Sequence, residues 1–479
     1  MELSLPQLLT DTARRRPQRT AVLQDDSAVS FAGLAHDVDR LAGRLAERGV
    51  RGRVGVLLPN IGSFPLVLYG ILRAGGSALL LNPMNSPREV EEQLRDAGVE
   101  SVFTTEPLTA LLPRGARALL AGGLPDELRV VSEVEDRLVR LAGAPAPPPM
   151  PPGGDHEAVT LYTAAERGRA RGAVLSHTNL VADLEASIEA MGIAAEDRVL
   201  GVLPYVHTFG LTVGLTAPLA AGATVIPVER YNPLKVLDVL EDLRPTVMLG
   251  VPTIFIGLIS AVERRGTPKH SLRVAISGGA PLAPEVAARW EEVFGLPLRQ
   301  GYGLTEASPV CLFNRVDRPN HRGAVGSALP GVEVTVRAPD GEELPAGEVG
   351  EICVRGPNVF GGYLGEGGRQ PDEFWGDWLR TGDLGSIDAE GVVRFRGVLK
   401  PMFTRNGFNV YPHEIERVLE ADERIEHAEV LARPEPVREN EIVLRVVRAS
   451  GAPLTDDEVR EICRARLAAY KQPTRIRIG

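Results

Sequence analysis

Residues 53–98 alternate between short apolar runs and amphipathic runs, and this alternation restricts the chain to few folds. The runs RVGVLLP (53–59) and SALLLNP (77–83) are typical of buried strands, whereas FPLVLYGILRAG (64–75) and PREVEEQLRDAG (87–98) are typical of helices. Strands that alternate with helices pair in parallel, and the helices cover the faces of the sheet. We therefore predict an α/β fold built around a parallel sheet.

The alternation resumes after a proline-rich stretch, APAPPPMPPGG, at residues 144–154. Because proline has no amide hydrogen to donate to the hydrogen bonds of a helix or a sheet, this stretch is predicted to be an extended linker. After it, DRVLGVLP, TVIPV, PTVMLGVP and LRVAISGG each precede a helical pattern. From about Val325 the runs are short and punctuated by glycine, which indicates antiparallel hairpins. Past Lys400 a smaller α+β unit ends in a helix whose first turn has a capping box between Thr455 and Glu458.

Length and charge exclude several classes of protein. The 479 residues exceed what one hydrophobic core serves, so we divide the chain into a large domain of residues 1–399 and a small domain of residues 400–479. A formal net charge of −10 argues against nucleic acid as a partner. Three widely spaced cysteines fit neither a disulfide framework nor a metal-ligand spacing, and no secretory signal is evident, so we expect a cytoplasmic protein.

One stretch, residues 201–228, carries no charged residue and is long enough to cross a membrane. Pro204, Pro218 and Pro227 would interrupt any continuous helix there. We predict no membrane span, and instead a buried combination of loop, helix and strand.

Six motifs follow one another along the chain. They are LPYVHTFG (203–210), SGGAPL (277–282), GYGLTEASP (301–309), GEVGEICVRGPNVFGGYL (347–364), WLRTGDLG (378–385) and NGFNVYPHEIE (406–416). In this order they resemble the adenylate-forming superfamily of acyl-CoA synthetases, firefly luciferases and nonribosomal peptide adenylation domains. The resemblance implies a large N-terminal domain with two parallel-sheet α/β subdomains and a small β-barrel-like subdomain, followed by a small mobile α+β domain.

Members of that superfamily join a carboxylate to ATP and then, after the small domain rotates, hand the acyl group to a thiol. The resemblance thus implies coenzyme A and acyl-AMP or AMP as ligands, with Mg²⁺ as a candidate cofactor. The residues also make chemical sense on their own. Bare glycine backbone can lie against a flat adenine, Tyr302 can cover its other face, and the Asp383 carboxylate can accept both ribose hydroxyls. The alternative without a ligand is that the glycine-rich loops are a pair of tight turns and that Asp383 forms an Asx-turn.

Adenylate binding is expected from the glycine-rich loops and their neighbours. These residues are Gly278, Gly279, Ala280, Pro281, Gly301, Tyr302, Gly303, Leu304, Thr305, Asp383 and Lys400. The resemblance makes His207, Thr305 and Glu306 the candidate catalytic residues, with Glu306 as a ligand for Mg²⁺. The alternative for His207 is a buried histidine of the core, and the alternative for Thr305 and Glu306 is a solvated start of a helix. An acyl pocket is expected from Tyr205, His207, Phe209 and Ala307, and coenzyme A binding from Gly407, Phe408 and Asn409.

The loop that binds phosphate in the superfamily departs from its pattern, TSGTTGxPKG, and reads TAAERGRARG at residues 163–172. Ala164 removes a hydroxyl, and Ala165 replaces a glycine that lets backbone amides close on phosphate. Glu166 adds a negative charge where the site must neutralise one, and Arg171 stands in place of lysine.

Three further departures lie near the hinge and in the small domain. Val398 replaces an arginine near the ribose, and Pro401 replaces the usual Asp or Lys pivot. A catalytic lysine is also expected a short way past the YKQP segment, and this sequence has none there.

These departures predict that adenylation is crippled, since losing one preorganised donor costs roughly 10²- to 10³-fold in rate. Thiolysis of a preformed acyl-AMP needs mainly adenylate binding, carbonyl positioning and a path for the thiol. We therefore predict a ligase reduced to thioesterification of a hydrophobic carboxylic acid, supplied as acyl-AMP by a separate adenylating enzyme. In this it resembles the non-adenylating acyl-CoA ligases of platensimycin-type diterpenoid antibiotic biosynthesis.

Three alternatives stay open. A complete ATP-dependent acyl-CoA ligase could use Arg167, Arg169 and Arg171 to bind phosphate. A peptide adenylation domain would need a carboxylate for the α-amino group where Tyr231 and Asn232 stand, so an amino acid substrate is disfavoured. A non-catalytic protein that binds an acyl adenylate is the third.

Overall fold

The computed structural model describes residues 3–25, 27–50, 52–120, 127–131, 136–140, 144–163, 170–399, 402–435, 438–449 and 453–479. Residues 120, 127–131 and 136–140 are described by their backbone alone. The predicted α/β class is confirmed, because two large, mainly parallel sheets form the centre of the molecule and helices cover them.

The larger sheet has nine strands within the described part of the chain, parallel in the middle and antiparallel at both edges. From one edge to the other they are Ser327–Ala328, Val310–Phe313, Leu298–Gly303, Val274–Ser277, Val247–Gly250, Arg198–Gly201, Thr224–Pro227, Thr20–Gln24 and Ser27–Ser30. Its parallel strands end at the edge that bears the SGGAPL and GYGLTE motifs, and ligands of open α/β sheets bind outside such carboxyl ends.

The second sheet has eight strands among the described residues. In spatial order they are Arg171–Ser176, Glu157–Thr163, Ser77–Leu80, Arg53–Leu57, Ser101–Thr104, Arg117–Leu120, Glu127–Val131 and Asp136–Arg140. The strands and helices expected in residues 53–98 are therefore confirmed. Helix Ser63–Arg73 is buried over its whole length, which explains its apolar sequence.

The helices begin and end close to their sequence signals. The longer ones are Leu5–Arg15, Phe31–Glu47, Ser63–Arg73, Pro87–Asp96, His177–Met191, Pro233–Asp242, Pro252–Arg265, Pro284–Phe294, Pro412–Glu420 and Asp456–Arg466. Helix Pro87–Asp96 starts with a capping box in which Ser86 and Glu89 bond each other's backbone amides. The capping box predicted between Thr455 and Glu458 is confirmed as well.

Residues 201–228 fold as predicted, into loop, helix and strand. They contain helix Thr208–Leu211, the π-helical turn Thr212–Thr216, helix Ala217–Ala221 and strand Thr224–Pro227. None of the helices in the described ranges combines the length and the apolar composition that crossing a bilayer requires.

The region after Val325 is antiparallel, as the sequence predicts. Its sheet consists of Glu333–Arg337, Gly350–Arg355, Phe374–Trp375, Trp378–Ile387 and Val393–Val398. The C-terminal unit has a hydrophobic core of its own, which includes Val410, Ile415 and Leu444. Its strands are Phe403–Arg405, Phe408–Val410, Ile425–Glu435, Glu439–Arg448 and Arg475–Ile478. The boundary at residue 400 stays a prediction, since Lys400 and Pro401 lie outside the described residues.

The proline-rich linker at residues 144–154 forms neither helix nor strand, as expected, and it is docked on the large domain. Its Pro145 carbonyl packs against Gly43, where a Cβ atom would collide with it. Nη1 of Arg73 donates a hydrogen bond of 2.6 Å to the carbonyl oxygen of Pro148.

Candidate functional site

A cavity of about 1340 Å³ lies between the carboxyl edge of the nine-stranded sheet and the C-terminal unit. We call it the cleft. Most residues expected from the sequence line it, although they come from distant parts of the chain. They are His207, Phe209, Gly278, Gly279, Gly301, Tyr302, Gly303, Leu304, Thr305, Glu306, Asp383, Gly407, Phe408 and Asn409. The fold thus brings them together, while their individual roles stay predictions.

Two residues expected in an acyl pocket lie outside the cleft, which corrects that expectation. Tyr205 is fully buried, and its ring contacts Phe64 edge-on at 5.3 Å between centroids, so it belongs to the core. Ala307 is also fully buried, and its carbonyl accepts a 2.9 Å hydrogen bond from Asn358.

Three expected adenylate-binding residues are also not part of the cleft wall. Ala280 and Pro281 follow Gly279 directly but are not among the residues that line the cleft. Lys400 lies outside the described residues.

The glycine pair after strand Val274–Ser277 disfavours side chains, at Gly278 for lack of space and at Gly279 because of its backbone conformation. A Cβ atom on Gly278 would come within 2.9 Å of the Phe209 ring, and Gly279 has φ of +76°. Backbone is therefore exposed to the cleft at this point, as a flat aromatic ligand requires.

Tyr302 and Asp383 meet at the cleft wall. The Tyr302 hydroxyl donates a 2.7 Å hydrogen bond to Oδ2 of Asp383, and the Asp383 amide donates to Oγ1 of Thr381 at 3.1 Å. Burial, together with the Asp383 charge, raises the pKa of Tyr302, so the hydroxyl stays protonated. The residue expected to cover the base thus touches the residue expected to hold the ribose.

His207 caps the short helix Thr208–Leu211 and presents its ring to the cleft. Its Nδ1 accepts a 3.3 Å hydrogen bond from the amide of Phe209. Desolvation lowers the pKa of His207, so the imidazole is neutral at pH 7. Because Nδ1 is an acceptor, the proton of the neutral ring is on Nε2, which becomes a donor.

Arg171 occupies the end of the cleft where the superfamily binds phosphate. Its Nη1 forms ion pairs with Glu373 and, at 3.3 Å, with Glu366, and its guanidinium lies 3.6 Å from the centroid of the Tyr363 ring. Tyr363 in turn donates a 2.5 Å hydrogen bond to Oε1 of Glu306. Two carboxylates therefore pair with one guanidinium, and Glu306 is hydrogen-bonded to the tyrosine whose ring the guanidinium covers. No sequence signal pointed to Glu366 and Glu373, since acidic residues in a glycine-rich stretch are typical of a solvated loop, and Tyr363 has no motif role of its own.

Ala164, Ala165, Glu166, Arg167 and Arg169 lie outside the described residues, as does Pro401. Val398 is the direct cross-strand partner of Asp383.

The residues do not build a metal site by themselves. In the ranges that the structure describes, no group of three or more His, Cys, Asp or Glu side chains could hold a metal ion. Glu306 supplies one carboxylate, and one of its oxygens already accepts from Tyr363. We derive no chemical step through Mg²⁺.

The loop of Gly407, Phe408 and Asn409 enters the cleft from the C-terminal unit. Gly407 has φ of +77°, and a Cβ atom there would come within 2.6 Å of the Val251 side chain on the large domain. Phe408 stacks on Tyr470 with 4.6 Å between ring centroids. The loop is thus pressed against the large domain beside the glycine pair.

Two curated relatives match nearly the whole chain. A feruloyl-CoA synthase from Amycolatopsis sp is 34% identical over 96% of this chain and 92% of its own length. A long-chain-fatty-acid–CoA ligase from Bacillus subtilis is 31% identical over 98% of this chain and 90% of its own length.

Two solved structures share the fold. A malonyl-CoA ligase in a ternary product complex with methylmalonyl-CoA and AMP has a TM-score of 0.82 at 27% identity, covering 96% of each chain. ATP-bound MatB from Rhodopseudomonas palustris has a TM-score of 0.73 at 30% identity, covering 100% of this chain and 95% of that chain. A family model described as AMP-binding enzyme matches residues 9–364. The chain therefore belongs to the AMP-binding enzyme family.

Proposed function

We propose that this protein is an acyl-CoA ligase that carries out the thioesterification half-reaction alone: acyl-AMP and coenzyme A give acyl-CoA and AMP. The acyl group comes from a hydrophobic carboxylic acid of secondary metabolism. A separate adenylating enzyme supplies the acyl-AMP.

The arrangement around Arg171 carries this proposal. Its two carboxylate partners, Glu366 and Glu373, outnumber the single guanidinium charge, and the Glu306 carboxylate lies beyond them, hydrogen-bonded to Tyr363. A triphosphate placed there would meet like charge in a partly desolvated site, where repulsion is stronger than in water. An acyl-AMP has no β- or γ-phosphate and avoids this repulsion.

The cleft offers what thioesterification needs. The neutral His207 can donate from Nε2 to the acyl carbonyl oxygen, where negative charge develops during attack. The sulfur of coenzyme A forms a C–S bond with the carbonyl carbon, the C–O bond to AMP breaks, and AMP leaves with the bonding electrons. The thiol proton is released to solvent.

The cleft wall supports an apolar acyl group. Met191, Val206, Phe209, Ile276 and Leu304 contribute to it. Burial of apolar surface against these side chains would hold a hydrophobic acid, and the relatives' names show that the acyl group varies in this family.

The placement of the C-terminal unit also supports the proposal. The loop of Gly407, Phe408 and Asn409 lines the cleft, and in the superfamily this loop lines the pantetheine path.

The test offers the purified protein two sets of substrates. One reaction contains a synthetic hydrophobic acyl adenylate and coenzyme A, and the other contains the free acid, ATP, Mg²⁺ and coenzyme A. We expect thioester in the first reaction and little in the second. Equal rates in both would reject the proposal, and tight binding of the adenylate without turnover would show a binding protein instead.

A complete ATP-dependent ligase is the second candidate. It is favoured by the match of CoA ligases and a CoA synthase over nearly the whole chain at 31% and 34% identity. Exchange of labelled pyrophosphate into ATP, dependent on a carboxylic acid, would establish it.

A further inference from the structure

Lys471 is a buried lysine at the junction of the large domain and the C-terminal unit. Its side chain is 5% exposed. The ammonium lies 3.0 Å from Oε1 of Glu89 on the large domain and 2.6 Å from Oε1 of Glu414 on the C-terminal unit. One cation therefore joins a carboxylate from each side of the junction.

The Glu89 carboxylate is oriented by hydrogen bonds that do not involve Lys471. Its other oxygen, Oε2, accepts from the Ser86 amide at 2.7 Å and from the Ser86 hydroxyl at 2.9 Å, as part of the capping box of helix Pro87–Asp96. The Glu89 side chain therefore loses little rotamer entropy when its carboxylate binds the ammonium.

The ion pair is protected from solvent. Removing an ammonium from water is costly unless charged partners replace the water, so the pair depends on both carboxylates. The two carboxylates and the Tyr470 ring outweigh the desolvation and raise the pKa of Lys471. Any rotation of the C-terminal unit away from helix Pro87–Asp96 would separate Lys471 from Glu89 and leave charged groups to be rehydrated.

The contact is connected to the cleft. Tyr470, the neighbour of Lys471 in the chain, stacks on Phe408, whose loop lines the cleft. A backbone hydrogen bond of 3.2 Å from Ala469 to Met84 fastens the same segment to the large domain. The position of Lys471 thus fixes the ring that supports the loop.

We propose that Lys471 is a positioning residue that holds the C-terminal unit in the orientation where residues 407–409 face the acyl group, by binding Glu89 across the junction. This rests on the proposed function, since it assigns the orientation to the thioesterification step. Lys471 lies at the cleft wall, but its ammonium is held by its two carboxylate partners. It acts through Tyr470 and Phe408.

The variants are Lys471→Met and Glu89→Gln. Glu89→Gln removes the charge but keeps an oxygen for Ser86, because glutamine also completes a capping box. The matched controls are Lys269→Met, at an exposed lysine, and Glu292→Gln, at an exposed carboxylate that pairs with Arg289. Thermal unfolding shows that each variant is folded.

Distances between two spin labels report the orientation. Lys235→Cys on the large domain and Glu426→Cys on the C-terminal unit supply exposed attachment sites, whereas Cys311, Cys353 and Cys463 are buried. We expect one narrow distance distribution in the parent and both controls, and a broad one in Lys471→Met and Glu89→Gln. A parent-like distribution in either variant would overturn the proposal.

Kinetics with acyl-AMP and coenzyme A give the second readout. We expect the KM for coenzyme A to rise about tenfold in both variants, the factor for losing one charge-assisted hydrogen bond, with the Kd for acyl-AMP unchanged. An unchanged KM would contradict the role of Lys471. If the parent forms no thioester, the proposed function fails, while the spin-label distances still test the contact.

Discussion

The hydroxyl of Tyr302 donates a 2.7 Å hydrogen bond to Oδ2 of Asp383, across 81 positions of the sequence. The bond joins the strand Leu298–Gly303 of the nine-stranded sheet to the strand Trp378–Ile387 of the antiparallel sheet. It also restricts the rotation of the Asp383 carboxylate, which is then oriented for a ligand in the cleft.

Asp383→Asn should weaken AMP binding about 10- to 100-fold, because an amide cannot accept two ribose hydroxyls as well as a carboxylate does. Isothermal titration calorimetry with AMP measures the change. The control is Asp377→Asn, at an exposed aspartate just before the same strand. Equal AMP affinity in the two variants would refute the ribose role of Asp383.

Replacing both Glu366 and Glu373 by glutamine should raise the affinity for ATP about tenfold and leave the affinity for AMP unchanged, since the like charge opposes only the outer phosphates. Competition with a fluorescent nucleotide measures both affinities. Glu348→Gln, at an exposed glutamate, serves as the control. An equal gain for ATP and AMP would show that the carboxylates act on the whole nucleotide.

His207→Ala should lower kcat for thioester formation from acyl-AMP about 10²-fold, the effect of losing one donor to a developing oxyanion. Since desolvation lowers the pKa of His207, the ratio of parent to variant kcat should be constant above pH 6.5 and shrink at lower pH, where the ring is protonated and loses its Nδ1 acceptor. His427→Ala, at an exposed histidine, should leave kcat unchanged. A ratio that grows towards low pH would contradict the neutral-donor role.

Gly407→Ala should raise the KM for coenzyme A without changing the affinity for acyl-AMP. Its Cβ atom would come within 2.6 Å of Val251, so the loop must withdraw from the cleft wall. Gly391→Ala is a matched control, because Gly391 has the same φ of +77° and no atom within 4 Å of its Cβ position. Equal KM values in the two variants would mean that backbone strain alone accounts for the effect.

His177 makes stability depend on pH. Burial lowers the pKa of His177 to about 4, from 6.5, so below pH 6.5 the unfolded chain binds a proton that the folded chain does not. The free energy of unfolding should therefore fall by about 2 kcal/mol between pH 7.5 and pH 5 because of this residue.

Urea unfolding of His177→Asn at the two pH values tests this. Asparagine keeps an acceptor for the Leu5 amide but does not titrate. The fall in the free energy of unfolding from pH 7.5 to pH 5 should be smaller in the variant by about 2 kcal/mol. A fall as large as in the parent would show that groups other than His177 cause it.

The sequence carried enough information for the layers of the fold and for most of the cleft wall. Apolar runs in residues 53–98 identify buried strands because a strand covered on both faces must be apolar throughout. The motifs place His207 and Gly278 because each lies in a loop that follows a strand, where the backbone opens towards a ligand, and they place Asp383 within the strand Trp378–Ile387.

The sequence could not indicate which way a side chain points, or which residues far apart in the chain form pairs. Tyr205 lies in the middle of a motif, yet Phe64, far away in the chain, provides the apolar contact that turns its ring into the core. The pairing of Arg171 with Glu373 spans 202 positions, and that of Lys471 with Glu89 spans 382. Such pairs depend on how sheets and domains pack, which no local pattern records.

The docked linker at residues 144–154 has a consequence for how the chain resists proteolysis. Prolines have no amide hydrogen, so a strap made of them can be fastened only by donors from elsewhere. The guanidinium of Arg73 holds the carbonyl of Pro148 and the carboxylate of Asp39 at once. A protease that needs an extended, detached substrate should therefore cleave this segment slowly as long as Arg73 keeps its hydrogen bonds to the linker.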